Sequence, residues 1–278
     1  MRFVTLNISG PSAARAGRLL EFLPSLEADV LVLTETRQNR GTAQLLGSYR
    51  ESGHAVVAAQ WMDASERGVA VIQRAGRPVP LACDLTTEAR HRLVASEVDA
   101  SQSVTVVGAY VPSRDASPAK IARKQRFLSQ MTALTRRWTH ERLVFLGDLN
   151  IVSRQHVPRF TTFRCWEYDA LEALERDGLV DAYALLHPGK QVHSWIGRKG
   201  AGYRYDYAFV SAGLVPYLVD CEYVHEPREL GLSDHAAVVL TLDFPTAEVS
   251  PSPRHSTRPG EAPSNESDAV CPPGRCQV

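Results

Sequence analysis

Five times in this chain a short apolar run of the kind that buries on both faces meets a polar or charged residue at its end. Asn7 closes the run that starts at Arg2, and Glu35 follows Leu31-Val32-Leu33-Thr34. Asp148 and Asn150 follow Leu143-Val144-Phe145-Leu146-Gly147. Asp206 lies in Tyr205-Asp206-Tyr207-Ala208-Phe209-Val210, and Asp234-His235 precedes Ala236-Ala237-Val238-Val239-Leu240. Val- and Leu-rich runs of this length read as strands covered on both faces. One such polar residue alone is more commonly a helix cap or turn former, and Asn7 before Gly10-Pro11 could simply start a turn. Five with one character ask for more. Carboxylates buried near strand ends are costly unless something positive pairs with them. A hard divalent cation does this with oxygen ligands. The chain has no Cys/His cluster of the kind zinc takes. The expectation is a Mg²⁺ or Mn²⁺ site serving a phosphate.

The patterning predicts strands over Arg2–Ile8, Asp29–Thr34, Ala55–Ala59, Gly68–Gln73, Arg92–Asp99, Ser103–Val111, Arg142–Leu146, Tyr205–Val210 and Ala236–Leu242. Helices are predicted over Ala13–Leu26, Ala119–Trp138 and Glu167–Asp177. In the second of these Phe127, Leu128, Met131, Leu134 and Trp138 fall on one stripe and read as core. Strands separated by helices imply an α/β fold of packed sheets with outer helices. No sequence repeat stands out.

Regular patterning stops near residue 244. Seven of the 17 prolines lie in the last 34 residues, where long apolar side chains almost vanish. Residues 245–278 are therefore expected to form a disordered tail after a catalytic domain of residues 1–244. The five cysteines, Cys83, Cys165, Cys221, Cys271 and Cys276, are odd in number and irregularly spaced, which suits reduced thiols. Cys271 and Cys276 could form a clip, but no second pair accompanies them. Formal net charge is zero, which gives no support to binding nucleic acid by bulk charge and leaves room for a local basic groove. No apolar run suits a membrane helix, and Met1-Arg2-Phe3-Val4-Thr5 leads straight into a strand without room for a signal peptide, so a cytoplasmic protein with no membrane partner is expected.

Six short motifs in order carry a family resemblance over residues 2–243. They are Thr5-Leu6-Asn7-Ile8-Ser9-Gly10, Val30-Leu31-Val32-Leu33-Thr34-Glu35-Thr36, Gly108-Ala109-Tyr110-Val111-Pro112-Ser113, Gly147-Asp148-Leu149-Asn150, Tyr203-Arg204-Tyr205-Asp206-Tyr207 and Ser233-Asp234-His235. Together they resemble the endonuclease/exonuclease/phosphatase superfamily, with Thr34 where glutamine is usual. The stretch Leu171 to Tyr183, then Pro188 and His193-Ser194-Trp195, is similar to the exonuclease III and apurinic endonuclease branch, while residues 151–166 depart from it.

The resemblance implies a four-layer α/β sandwich, two packed mixed β-sheets flanked by helices, and in-line attack of water on phosphorus. It implies Glu35 as the main metal ligand, with Asn7 and Asp234 nearby. Asp148 would be the general base, and Asn150 would orient the water or bind a phosphoryl oxygen. His235, polarised by Asp206, would donate to the phosphate, and Tyr110 would bind it or aid proton transfer. Trp195 and Tyr203 would help form a pocket for a flipped abasic sugar, core packing being the alternative for both. Arg204 and Arg114 are expected to bind substrate, with Arg123, Lys124, Arg126, Arg154, Arg159 and Arg164 as further members of a basic rim. The expected partner is DNA, cut as an abasic-site endonuclease or 3′-exonuclease would cut it. A small-molecule or lipid phosphoester is the alternative, and an inactive binding protein on the same fold the least favoured reading. A monomer is the default.

Overall fold

The computed structural model describes residues 1–58, 63, 65–74, 79–80, 90–98, 103–140 and 142–245. These belong to one compact unit, Met1–Pro245. The expected tail, with Cys271 and Cys276, lies outside the described residues, as does Cys83.

Two six-stranded sheets and four main helices build the unit. The first sheet contains β1 (Arg2–Asn7), β2 (Val30–Arg37), β3 (Ala55–Ala58), β4 (Arg67–Gln73), β13 (Leu218–Val224) and β14 (Ala237–Leu242), in the order β13-β14-β1-β2-β4-β3. The second contains β5 (Val79–Pro80), β6 (Leu93–Val98), β7 (Val104–Tyr110), β8 (Leu143–Asp148), β9 (Leu179–Asp181) and β12 (Asp206–Ser211), in the order β5-β6-β7-β8-β12-β9. A small hairpin pairs β10 (Trp195–Ile196) with β11 (Gly202–Tyr203). The helices are α1 (Ala13–Phe22), α2 (Arg40–Glu51), α3 (Pro118–Trp138) and α4 (Cys165–Arg176), with short α5 (Ala182–Leu186) and α6 (Glu226–Glu229).

Alternation along each strand sorts the apolar residues into three layers. Phe3, Val30, Val32, Val69 and Val71 of the first sheet meet Val106, Val144, Leu146, Ala208 and Val210 of the second between the sheets. Val4, Leu6, Leu31, Leu33 and Ile72 point the other way, under Ala16 and Leu19 of α1 and Leu45 and Leu46 of α2. Val107, Leu143, Phe145 and Phe209 face Phe127, Met131 and Trp138 of α3 and Leu171 and Leu174 of α4. The stripe read from the sequence on α3 is thus core, and the four-layer sandwich of two mixed sheets between helices is observed. Each fully buried Val or Leu contributes about 1.5–3 kcal/mol. The sheets approach closely at Gly108, where a Cβ would lie 2.7 Å from Val69 and 2.8 Å from Val32.

The differences from the expected elements have local causes. The first helix ends as α-helix at Phe22, and Pro24 carries Leu23–Leu26 on as a 3₁₀ turn. The third predicted helix starts two residues earlier, at Cys165, with the Arg164 N–H donating to Glu167 Oε2 (2.9 Å). Helix α2 was not anticipated, since two glycines interrupt its pattern; Asn39 caps it by accepting from Thr42 N (2.8 Å). Strand β13 was missed because it is an edge strand burying Cys221 alone. No helix among the described residues is long and apolar enough to cross a membrane.

Candidate active site

The polar strand ends converge. In the second sheet three neighbouring strands carry their polar residues in one row: Tyr110 pairs with Asp148 across β7 and β8, and Asp148 with Asp206 across β8 and β12. Two like charges directly opposite one another are unfavourable in a sheet. Both carboxylates are buried, Asp148 at 1% and Asp206 at 0% exposure. Each is answered from the first sheet. Asn7, at the end of β1, donates through Nδ2 to Asp148 Oδ2 (2.9 Å), and His235, two residues before β14, donates through Nδ1 to Asp206 Oδ2 (2.7 Å). Asn7 Nδ2 also lies 3.4 Å from His235 Nε2, which sets the two pairs side by side.

Glu35 enters by a bulge. The β2–β4 register shifts between Thr34 and Thr36, and Glu35 takes a left-handed backbone, φ +55°. The extra residue aims the carboxylate at the site, where Oε1 accepts from the Tyr110 hydroxyl (2.7 Å) and Oε2 lies 3.2 Å from Arg67 Nε. The end of β8 and the turn after it use two further positive-φ residues, Gly147 (φ +148°) and Asn150 (φ +48°). A Cβ on Gly147 would sit 1.9 Å from the Ala109 carbonyl oxygen, so only glycine fits. Asn150 then donates to Asp148 twice, from its backbone N–H (2.9 Å) and from Nδ2 (3.2 Å).

Electrostatics follow from burial. Burial pushes the Asp148 carboxyl well above the usual carboxylate range, and the neighbouring Asp206 adds to the shift. Burial disfavours the His235 imidazolium, yet the adjacent Asp206 overcomes this and raises its pKa to about 10. Burial, then Glu35, push the Tyr110 hydroxyl upward, so it stays protonated and donates. Arg92 stacks on that ring, its guanidinium carbon 4.5 Å from the centroid.

Sequence reasoning missed the supports behind this set. Ser194 is fully buried; its hydroxyl accepts from Tyr205 N (3.0 Å) and Asp206 N (3.1 Å), and its carbonyl accepts from Ala236 N (2.7 Å). One serine thereby joins the chain before β12 to the chain before β14. Ser233 Oγ donates to the Asn7 carbonyl and accepts from His235 N. The Tyr223 hydroxyl donates to the Asp206 carbonyl (2.6 Å). None of these residues ends an apolar run; Ser194 and Ser233 lie inside the quoted motifs, but nothing local gave them a role.

Arg204, expected to bind substrate, is engaged within the protein. Its guanidinium is turned onto Asp181, with bonds of 2.8 and 2.6 Å, while Nε donates to the Tyr223 hydroxyl (2.7 Å). It braces the strand that carries Asp206. Arg114 is likewise engaged, by Glu167 and by the Thr162 carbonyl (2.8 Å), although it lines a groove beside Tyr110. Of the expected basic rim, Arg154 is paired with Asp169 and Glu172, and Lys124 is buried. The cations whose charge is felt at Glu35 or Asp234 include Arg15 and Arg67, neither expected.

Trp195 and Tyr203 lie outside the fully buried core. Both are half-buried members of an aromatic wall. Trp195 stacks on Tyr205 (5.7 Å, 29°), lies 6.5 Å from the His235 ring and donates from Nε1 to Asp234 Oδ2 (3.0 Å). Tyr203 is held between Phe160 (4.1 Å, 17°) and Tyr205 (5.1 Å, 23°). Asp234 itself is exposed.

The donor set suits a hard divalent cation. Of the two buried carboxylates Asp206 contacts His235, and Asp206 Oδ1 is buried without a hydrogen-bond partner. Among the described residues, Asp148, Asp206 and His235 place ligand atoms within 4.8 Å of one another; this group includes neither Glu35 nor Asp234, the carboxylates expected to bind metal. Without a cation, Asp206 keeps His235 protonated at both nitrogens, so Nδ1 donates to Asp206 and Nε2 has no lone pair to accept with. Glu35 is less buried than Asp148 and Asp206, its side chain 16% exposed between Tyr110 and Arg67.

Known proteins share this architecture. The Neisseria 3′ phosphatase NExo bound to a product DNA hairpin superposes with a TM-score of 0.75 at 23% identity, over 88% of this chain and 100% of that one. An AP endonuclease from Archaeoglobus fulgidus gives 0.75 at 21% identity with the same coverages. The AP endonuclease LMAP from Leishmania major gives 0.72 at 21%, covering 88% of each chain. At these identities the likeness is one of fold. No curated protein matches the sequence significantly. The sequence model of the Endonuclease/Exonuclease/phosphatase family matches residues 4–235, which takes in every element from β1 to the histidine before β14. With most of its length inside that match and its layers arranged as in those structures, the chain belongs to the endonuclease/exonuclease/phosphatase family.

Proposed function

We propose that this protein is a divalent-metal-dependent phosphodiesterase acting on DNA, as an abasic-site endonuclease or a 3′-exonuclease. The observation that carries the reading is the two pairs set side by side, Asn7 on Asp148 and His235 on Asp206, with Glu35 held beside them by Tyr110. A carboxylate raised by burial is a competent base near neutral pH, and an imidazolium raised by its partner is a competent donor to an anion.

Glu35 would hold Mg²⁺ or Mn²⁺, with Asn7 and Asp234 at its margin. Bound there, the cation would act as Lewis acid toward the phosphoryl oxygens and the leaving oxygen. The chain's own groups do the rest. Asp148 takes the proton of the attacking water, which Asn150 and Asn7 orient through the bonds they already make to that carboxylate. His235 donates to a phosphoryl oxygen, and Asp206 keeps its ring charged and aimed. Tyr110, protonated, fixes the Glu35 carboxylate and offers its hydroxyl edge to the phosphate. Trp195, Tyr203, Tyr205 and Phe160 present stacked faces on which bases or a sugar can rest. The groove of about 630 Å³ lined by Arg67, Arg92, Tyr110, Pro112 and Arg123 gives room for a neighbouring phosphate.

A small phosphoester is the second reading. It is favoured by the zero net charge and by the pairing of Arg114, Arg154 and Lys120 with acids. The deciding experiment incubates the protein and Mg²⁺ with a duplex carrying one abasic site, an intact duplex and a generic phosphodiester, with Asp148→Ala as control. Incision at the abasic site supports the endonuclease, and shortening of the intact duplex from its 3′ end supports the exonuclease. Cleavage of the generic phosphodiester alone overturns the DNA reading.

A further inference from the structure

A buried ion group outside the set above meets the loop after β8. Lys124 of α3 and Glu167 of α4 are each 1% exposed, with Lys124 Nζ 2.8 Å from Glu167 Oε1. Glu167 Oε2 accepts from the Arg114 guanidinium and from the Arg164 N–H. Two cations and one carboxylate are thus packed where α3, α4 and the chain after β7 meet. Buried ion groups seldom stabilise more than apolar residues of the same size, so a group like this calls for a use.

The use lies at Lys124, whose Nζ also donates to the Asn150 carbonyl (2.7 Å). Asn150 has φ +48°, a backbone conformation that is costly for any residue with a side chain. From it, the Asn150 N–H and Nδ2 both reach Asp148, and Nδ2 also donates to the Val111 carbonyl (3.0 Å). Were the turn to relax, both donors would swing off the carboxylate.

We infer that Lys124, held in place by Glu167 and Arg114, is a positioning residue for phosphoester cleavage: its ammonium clamps the Asn150 carbonyl, fixes the left-handed turn and so aims both Asn150 donors at Asp148. The inference rests on the proposed function only in giving Asp148 and Asn150 a part in the reaction. Lys124 touches no substrate, so its loss acts on turnover and hardly on binding.

A double-mutant cycle on the full-length protein tests it. Lys124→Met is expected to lower kcat about 10- to 100-fold, as loss of an outer-shell partner does, with KM nearly unmoved. In an Asn150→Ala background the same substitution is expected to cost little more, because there is no longer a side chain to aim. Fully additive losses, or a Lys124→Met protein with parental kcat, overturn the inference. If Lys124→Met does not fold, Glu167→Gln, which loosens Lys124 while keeping the shape of the side chain, takes its place in the cycle. A turnover-free readout separates this inference from the proposed function. In the parent the Asn150 side-chain amide protons should be protected from exchange, and in Lys124→Met they should exchange at least about 10-fold faster. Unchanged protection overturns the clamp. A parent that cleaves no phosphoester overturns the proposed function instead.

Discussion

The two sheets are laid out alike, and the site lies where their corresponding strands end. Each has six strands with one parallel pair at its centre, β1 with β2 and β7 with β8, and antiparallel neighbours elsewhere. Matched on that pair, β1 corresponds to β8, β2 to β7 and β14 to β12. The hydrogen bonds of the site join the matched strands: Asn7 to Asp148, Tyr110 to Glu35, and His235 to Asp206. The sheets differ in how they end. The second ends flush, its three residues in one register row, and the Asp148 and Asp206 carboxylates are sealed. The first ends raggedly, with a bulge at Glu35 and with His235 displaced from its strand, and the Glu35 side chain keeps 16% exposure. The flush row supplies charges whose energies are raised by burial; the ragged row supplies access and the groups that answer those charges.

Breaking the bonds between the sheets one at a time sharpens this division. The largest effect is expected at Asp148. Asp148→Asn keeps the shape and removes the proton acceptor, so kcat should fall by at least about 10²–10⁴-fold while the protein stays folded, read by steady-state kinetics beside circular dichroism. Asp206→Asn should follow closely. It leaves His235 in place but withdraws the anion that keeps the ring charged, so kcat should fall roughly 10²-fold or more and the basic limb of the pH–rate profile should move down from about 10. If Asp206→Asn lowers kcat with no move of that limb, the buried row does not set the charge of His235.

On the ragged side, effects should fall on the cation. Glu35→Gln is expected to raise the Mg²⁺ concentration for half-maximal activity by well over ~10-fold. Tyr110→Phe, which removes a partner of Glu35, should raise it by about 10- to 100-fold at most. Metal titration of each variant checks both. Equal sensitivity to metal in Asp148→Asn and Glu35→Gln would erase the division between the rows.

The site residues on strand ends were legible because each ends or interrupts an apolar run, a local signal that burial physics explains. Nine of the fourteen strands among the described residues were legible for the same reason, to within a residue or two at most ends, while β5, β9, β10, β11 and β13 were not. What could not be read is non-local. Ser194 sits in a segment without periodicity, and its value comes from two chains brought to it by the fold. Arg204 reads as a free cation next to Asp206 until Asp181, 23 residues away, closes on it. Glu35 was read as a residue following a buried run; its bulge, which turns the carboxylate to Tyr110 75 residues away, has no local mark. Lys124 was counted with a basic rim, and only the packing of α3 on α4 shows it to be buried.

The smallest effect tests the buried row through stability. For His235 the folded-state pKa is raised, to about 10, so its contribution is complete below its ordinary value and is lost as pH rises toward 10. For Asp148 the folded-state pKa is also raised, by burial first, so the fold favours the neutral carboxyl and loses stability as pH climbs above the ordinary carboxylate range. The two signs agree: the metal-free protein should melt at a lower temperature near pH 9 than near pH 6, with each ~1 kcal/mol of difference worth about 2–4 °C at this chain length. Mg²⁺ should flatten the slope, since a cation offsets the carboxylate charge and binds only the folded site. Glu35→Gln should remove that flattening and leave the metal-free slope intact, because Glu35 belongs to the ragged row. A metal-free profile that rises with pH would mean that the sealed carboxylates are answered by more positive charge than His235 alone supplies.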